Sequence, residues 1–150
     1  MGTQVFVGAD HAGFALKQAL LPILKKEFPN FQFEDLGTHS DESVDYPDFA
    51  EKVAREVASK SARGILICGS GIGMCIAANK IKGVRAASAW DATSARLSRQ
   101  HNGSNIICIG ARLTGQEVAN EITRVWLKSE FEGGRHQKRI DRISQLEAKK

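Results

Sequence analysis

The stretch Ile65-Leu-Ile-Cys-Gly-Ser-Gly-Ile-Gly-Met-Cys-Ile-Ala-Ala-Asn79 decides the reading of this chain. Ile65 to Ile67 form a short apolar run, the mark of a buried strand. Gly69, Gly71 and Gly73 follow at alternate positions, and a helical pattern through Met74, Ile76, Ala77 and Ala78 comes next. Strand, glycine turn and helix in that order make an anion-binding turn. Backbone N–H groups point out of the loop, and the helix N-terminus adds partial positive charge. Cys68 sits at the mouth of the turn, where the same positive end favours a thiolate. The loop can hold a base or nucleophile beside an oxyanion site; equally, it can be a tight turn with an inert buried cysteine. Three other loops are excluded at one position. A nucleotide-phosphate loop and a dinucleotide fingerprint, both counted from Gly69, need Gly where this chain has Met74. A Cys-x5-Arg phosphatase loop counted from Cys68 needs Arg there.

Outward from this core, strand and helix patterns alternate from end to end. Strands are expected at 4–8, 31–36, 64–68, 83–87 and 105–110. Helices are expected at 14–28, 47–60, 71–81, 91–100, 114–128 and about 134–149. Leu16, Leu20, Ile23 and Leu24 share a face of the first helix, and Pro22 inside it predicts a kink or break. Phe49, Val53 and Val57 mark the second, and Val118, Ile122, Val125 and Trp126 the inner face of the fifth. Regular β-α alternation predicts a Rossmann-like or flavodoxin-like three-layer α/β sandwich around a five-stranded parallel sheet. Ligands then sit at the carboxyl ends of the strands, near the switch in strand order. Polar residues collect there: Asp10 and His11 after strand one, Cys68 after strand three, Arg112 after strand five. The final helix has no strand left to cover, so it packs on another subunit or closes the site.

With 150 residues and no linker or repeat, the chain reads as one domain spanning 1–150. No apolar run reaches transmembrane length and no signal peptide is visible, so no membrane partner is expected. Three cysteines, an odd number with no C-x-x-C pair, argue against a disulfide framework and a structural zinc site. A reducing, cytoplasmic setting fits. The net charge of +4 is modest, and its excess gathers at the C-terminus. Without aromatic interleaving or a nucleic-acid motif, a small anionic substrate explains those arginines as well as nucleic acid does.

Individual constellations each have a plain reading beside the functional one. Asp10-His11 opens a helix: an N-cap, or an acid and a phosphate or hydroxyl ligand. His101 and Asn102 end a helix before Gly103: a C-cap, or a proton carrier near neutral pH. Arg135 and Arg139 lie four apart on one helical face with Arg142 close by: a solvated stripe, or a phosphate clamp. Tyr46, the only tyrosine, either packs or bonds a ligand hydroxyl.

Taken together, the motifs resemble the B-type ribose-5-phosphate isomerases, a family that also holds galactose-6-phosphate isomerase subunits. In order they are Gly8-Ala-Asp-His-Ala-Gly13, Ser43-Val-Asp-Tyr-Pro-Asp48, Cys68-Gly-Ser-Gly-Ile-Gly73, Ala77-Ala-Asn-Lys80, Leu97-Ser-Arg-Gln-His-Asn102, Gly110-Ala-Arg112 and Gly133-Gly-Arg-His-Gln-Lys-Arg139. The resemblance covers essentially the whole chain. Some members carry Thr at the position of Ser70. Another branch lacks the Cys68 thiol and uses a Glu where this chain has Cys75, so the Cys68 version of the mechanism is implied.

The resemblance implies interconversion of D-ribose 5-phosphate and D-ribulose 5-phosphate without metal or cofactor. It assigns ring opening to His101 with Asp10, and proton transfer between C2 and C1 to Cys68. The N–H groups of Gly69, Gly71 and Gly73, the Ser70 hydroxyl and Asn102 then stabilise the enediolate, at about 3–4 kcal/mol per preorganised donor. His11, Arg112, Arg135 and Arg139 are implied as phosphate ligands and Tyr46 as a ligand of a sugar hydroxyl. It further implies homodimers, in places paired into tetramers, with each site shared between two subunits. Two rivals remain. One is a sister isomerase of allose or galactose 6-phosphate. Galactose enzymes divide the site elements between two different subunits, whereas this chain carries every element. The other is a non-catalytic sugar-phosphate-binding module, which needs no Cys68 and His101 together.

Overall fold

A computed structural model describes residues 2–149. Its strands are β1 (Gln4–Ala9), β2 (Gln32–Asp35), β3 (Arg63–Cys68), β4 (Ala86–Ser88) and β5 (Ile106–Gly110). Its helices are α1 (Phe14–Glu27), α2 (Tyr46–Lys60), α3 (Ile72–Ala78), α4 (Ala92–Asn102), α5 (Gln116–Lys128) and α6 (Arg135–Ala148). All strand pairs are parallel, in the order β2-β1-β3-β5-β4. The expected three-layer α/β sandwich is what forms. The chain runs from β1 out to β2, then returns past β1 to β3, so the switch in strand order lies between β1 and β3. The register pairs Ala9 with Ile67 and brings the ends of these strands level. Asp10 and Cys68 therefore leave the sheet side by side.

Strands covered on both faces read as continuous apolar runs, and β3 and β5 are such runs. One face buries Val5, Val7, Ile65, Ile67, Ile107 and Ile109 against Leu20 and Leu24 of α1 and Ile122 and Trp126 of α5. The other buries Phe6, Leu66, Cys68, Ile106 and Cys108 against Val53 and Val57 of α2 and Met74 of α3. Helix α6 stands apart. It meets α4, buries only His136 and Ile140, and leaves Ile143 and Leu146 about half exposed.

Several expectations shift, each for a local reason. Helix α1 continues through Pro22, which faces solvent, and reaches Glu27. Helix α3 stops at Ala78 because Lys80 and Ile81 turn their N–H groups to the carbonyls of Ala77 and Ala78, tightening the last turn. Strand β4 begins at Ala86 rather than 83, because side-chain amides take the preceding donors. The N–H of Arg85 bonds Asn105 Oδ1 at 2.7 Å, and that of Ala86 bonds Asn79 Oδ1 at 2.9 Å. Helix α4 starts on a capping box between Asp91 and Ser94 and runs on through Asn102 to a left-handed cap at Gly103. In α5 Val118 is exposed; Ala119, Thr123 and Leu127 join Ile122 and Trp126 on the buried face instead.

Candidate active site

A cleft of about 640 Å³ opens at the carboxyl ends of β1, β3 and β5. Asp10, His11, Tyr46, Cys68, Gly69, Ser70, Gly73 and Arg112 border it, so eight of the residues singled out in the sequence meet around one space. Buried Asp10 accepts from the N–H of Gly13 at 3.0 Å, which fastens the turn into α1. His11 Nδ1 accepts the Val44 N–H at 3.2 Å. That bond uses Nδ1 as the acceptor and leaves Nε2 as the nitrogen that can donate to a ligand. The loop bearing Val44 leads into α2, whose first residue is Tyr46.

The glycine turn is shaped by close approaches. Gly71 has φ of 76°, and a Cβ there would lie 2.9 Å from the backbone nitrogen of Gly110. A Cβ on Gly73 would lie 2.6 Å from the Tyr46 ring. At Gly69 it would meet the Arg112 guanidinium at 3.2 Å. Glycine lets β5, Tyr46 and Arg112 close on the turn. Cys68 Sγ, nearly buried, accepts the Gly71 N–H at 3.2 Å. Ser70 Oγ accepts the Ile72 N–H at 3.2 Å and keeps its own proton to donate. Gly71 itself lies beneath the cleft, its N–H committed to sulfur. That donor can stabilise a Cys68 thiolate; it is not pointed at a ligand oxygen.

His101, Asn102, Arg135 and Arg139 lie elsewhere in the same chain. Helix α4 ends where β5 begins, so His101 and Asn102 stand at the amino edge of the sheet. One strand of five residues, roughly 16 Å at 3.3 Å per residue, separates the two edges. The His101 ring stacks on His136, with centroids 4.4 Å apart and planes 13° apart. Arg135, Arg139 and Arg142 do share one face, bordering a groove of about 530 Å³ with Lys138.

Three features were not read from the sequence. Lys17 is fully buried, its Nζ donating to Asp35 Oδ1 and to the Thr38 carbonyl, both at 2.6 Å. This holds the loop after β2 against the end of β1; an apolar-face count skips a lysine, so no periodicity reveals it. Cys75 is held down to about 6, first by a hydrogen bond from Cys108 and then by Ser88, while burial pushes the Cys108 thiol up. His101, Glu132 and His136 form the third, their ligand atoms within 4.8 Å of one another. They are the one such group found among the described residues. The imidazoles stack with nearly parallel planes, so their lone pairs do not converge on a shared ion. Arg135 and Arg139 add positive charge beside His136, whose pKa is lowered by burial first, then by His101 and those arginines.

The family model described as Ribose/Galactose Isomerase matches residues 5–143. Ribose-5-phosphate isomerase B of Escherichia coli is 43% identical over 148 residues, which cover 98% of this chain and 98% of that protein. D-erythrulose-4-phosphate isomerase of Pectobacterium atrosepticum is 39% identical, over 95% of this chain and 94% of that protein. The crystal structure of ribose-5-phosphate isomerase B from Mycoplasma genitalium with bound ribulose-5-phosphate superposes with a TM-score of 0.95. It is 42% identical and covers 100% of this chain and 99% of that one.

Proposed function

This chain belongs to the ribose/galactose isomerase family, and on that premise we propose that it interconverts D-ribose 5-phosphate and D-ribulose 5-phosphate. The observation that carries the reading is the meeting of Cys68 with Asp10, His11, Tyr46 and Arg112 around one cleft at the strand switch point. In this reading the Cys68 thiolate, stabilised by the Gly71 N–H, takes the proton from C2 of the open-chain aldose. The C1 oxygen becomes an enediolate oxygen, met by the Ser70 hydroxyl and by the N–H groups of Gly69 and Gly73, since the Gly71 N–H is held by sulfur and the Ile72 N–H by Ser70 Oγ. Cys68 returns its proton to C1, and the C2 hydroxyl proton passes to the C1 oxygen. No electron leaves the sugar, and no metal or cofactor is called for. His11 donates its Nε2–H to the phosphate beside Arg112, and Tyr46 bonds a sugar hydroxyl.

Ring opening needs His101 with Asp10, and the phosphate needs Arg135 and Arg139. Asp10 stands beside Cys68, but within one chain His101, Arg135 and Arg139 lie a sheet's length away. A second copy therefore completes the site: its His101 and Asn102 reach the reacting carbons and its arginines reach the phosphate. The half-exposed Ile143 and Leu146 of α6, and Ile72, Ile76 and Leu113 at the cleft rim, supply apolar surface for such a homodimer, which can pair again into a tetramer. The single domain contains one half-site at each edge. No helix among the described residues is long and apolar enough to cross a membrane. The free thiols Cys68, Cys75 and Cys108 suit the cytoplasm.

A coupled assay with chelator present tests the substrate. Ribose 5-phosphate should give the highest kcat/KM among ribose 5-phosphate, erythrose 4-phosphate, and allose and galactose 6-phosphates. A higher value for another sugar reassigns the substrate; tight binding without turnover of any makes the chain a binding module.

A further inference from the structure

At the amino edge of the sheet three arginines from three elements converge. Arg63 opens β3, Arg85 precedes β4 and Arg99 lies in the last turn of α4. With Ser61, Gly83 and Asn105 they border a cavity of about 490 Å³, within the size range of small-molecule sites. Backbone carbonyls hold the guanidinium groups. Arg63 Nη1 donates to Leu127 O and Arg99 Nη1 to Ser104 O, each at 2.6 Å; Arg85 donates to the carbonyls of Asn102 and Gly103, each at 3.0 Å.

Carbonyls fix direction but bring no net charge. Among the described residues one carboxylate pairs with any of the three: Glu130, exposed, 3.4 Å from Arg63. Glu147 acts on Arg85 only at longer range. Burial first, then the neighbouring Arg63 and Arg85 cations, hold Arg99 down to about 10, so it stays protonated at neutral pH. Arg63 Nε, Arg85 Nη1 and Arg99 Nη2 have no hydrogen-bond partner among the described residues. Ser61 keeps a hydroxyl at the rim in a left-handed conformation, φ 51°, that glycine fills more cheaply.

We propose that this cavity is a second anion site, separate from the Cys68 cleft, that takes the phosphoryl dianion of a small metabolite or of free phosphate. Three planar forks fixed around one polar space match a phosphoryl group, and the dianion offsets their mutual repulsion. The site stands independently of the proposed isomerase activity. Trp126 provides a reporter, since its ring lies 5.9 Å from the guanidinium carbons of both Arg63 and Arg99.

The experiment titrates inorganic phosphate into the full chain bearing Trp90→Phe, which leaves Trp126 as its one tryptophan. Equilibrium dialysis counts bound phosphate while fluorescence follows Trp126. Two phosphates per chain are expected, one of them coupled to Trp126. Ser61→Asp places a carboxylate at the rim in a conformation aspartate tolerates. It should weaken the Trp126-coupled phosphate about tenfold or more and leave the other in place. Arg63→Gln should do the same, and Ser61→Gly should bind as the parent does. Arg139→Ala should lose the uncoupled phosphate alone; if it keeps both, the α6 phosphate clamp fails and the second site stands. Ribose 5-phosphate titrated into Arg139→Ala identifies the occupant: tighter binding than free phosphate assigns a phosphorylated metabolite, equal binding assigns phosphate itself. No Trp126-coupled phosphate in the parent, or an unchanged Trp126 response in both Ser61→Asp and Arg63→Gln, overturns the proposal.

Discussion

The two edges of the sheet treat their functional side chains in opposite ways. At the carboxyl edge the groups are fastened by backbone: Asp10 to Gly13, His11 to Val44, Cys68 to Gly71. At the end formed by α4 and α6, Arg135 and Arg139 stand exposed, and no ion pair among the described residues involves them. Asp10, His11 and Cys68 are preorganised by backbone, and the α6 arginines are not. Under the proposed function, the difference divides one chain into two half-sites of different character: a rigid acid-base pocket, and a cationic face that meets the pocket of a second copy.

The sharpest way to break this contrast is at the rigid edge. Cys68→Ala should lower kcat by about 10²- to 10⁴-fold, the usual contribution of a positioned base, with KM little changed. Near-parental turnover would remove Cys68 from the chemistry. At the opposite edge, His101→Ala separates ring opening from proton transfer. Turnover of ribose 5-phosphate should fall by about 10²-fold. Erythrose 4-phosphate, whose esterified fourth oxygen cannot close a furanose ring, should be affected far less. Equal losses on both sugars would contradict the ring-opening role.

Arg139→Ala should raise KM by about 10- to 150-fold, the cost of one charge-assisted contact, with a smaller effect on kcat. Inorganic phosphate inhibition should weaken in parallel, and an unchanged inhibition constant would make the α6 arginines a solvated face. The smallest effect is on stability. His136 has a lowered pKa, so protonation favours the unfolded chain. At pH above the ordinary value of 6.5 both forms are neutral and nothing is lost; as pH falls through that value toward the lowered one, stability falls. The melting temperature of the parent should therefore drop between about pH 7.5 and about pH 5, and His136→Gln should flatten that drop. Equal slopes would mean that His136 is not the group responsible.

How far the sequence reveals this contrast depends on the period of each signal. Parallel strands buried on both faces announce themselves as Ile65-Leu-Ile and Ile106-Ile-Cys-Ile, so the sheet is legible. The cleft is legible too, because Cys68 ends a strand and Asp10, His11 and Arg112 come within two residues after one. Strand β4 is less so: the side chains of Asn79 and Asn105 decide where its pairing begins, and they come from other elements. The stack of His101 on His136 joins residues 35 apart in sequence on two helices, and no local pattern encodes it. Lys17 hides in an apolar face as its one charged member. The separation of His101 from Cys68 follows once the strands are known to be parallel, since a helix end and a strand end then fall on opposite edges.

That separation is the central claim, and subunit mixing tests it most directly. If the chain forms the proposed homodimer, Cys68→Ala and His101→Ala proteins, each expected to retain about a hundredth or less of the parental turnover of ribose 5-phosphate, are mixed in equal amounts, dissociated and reassociated. Random pairing makes half the dimers mixed, and each mixed dimer holds one intact site and one doubly altered site. The account predicts recovery of about a quarter of the parental activity. Activity no higher than that of the two variants alone, with mixed dimers verified by mass, would contradict it.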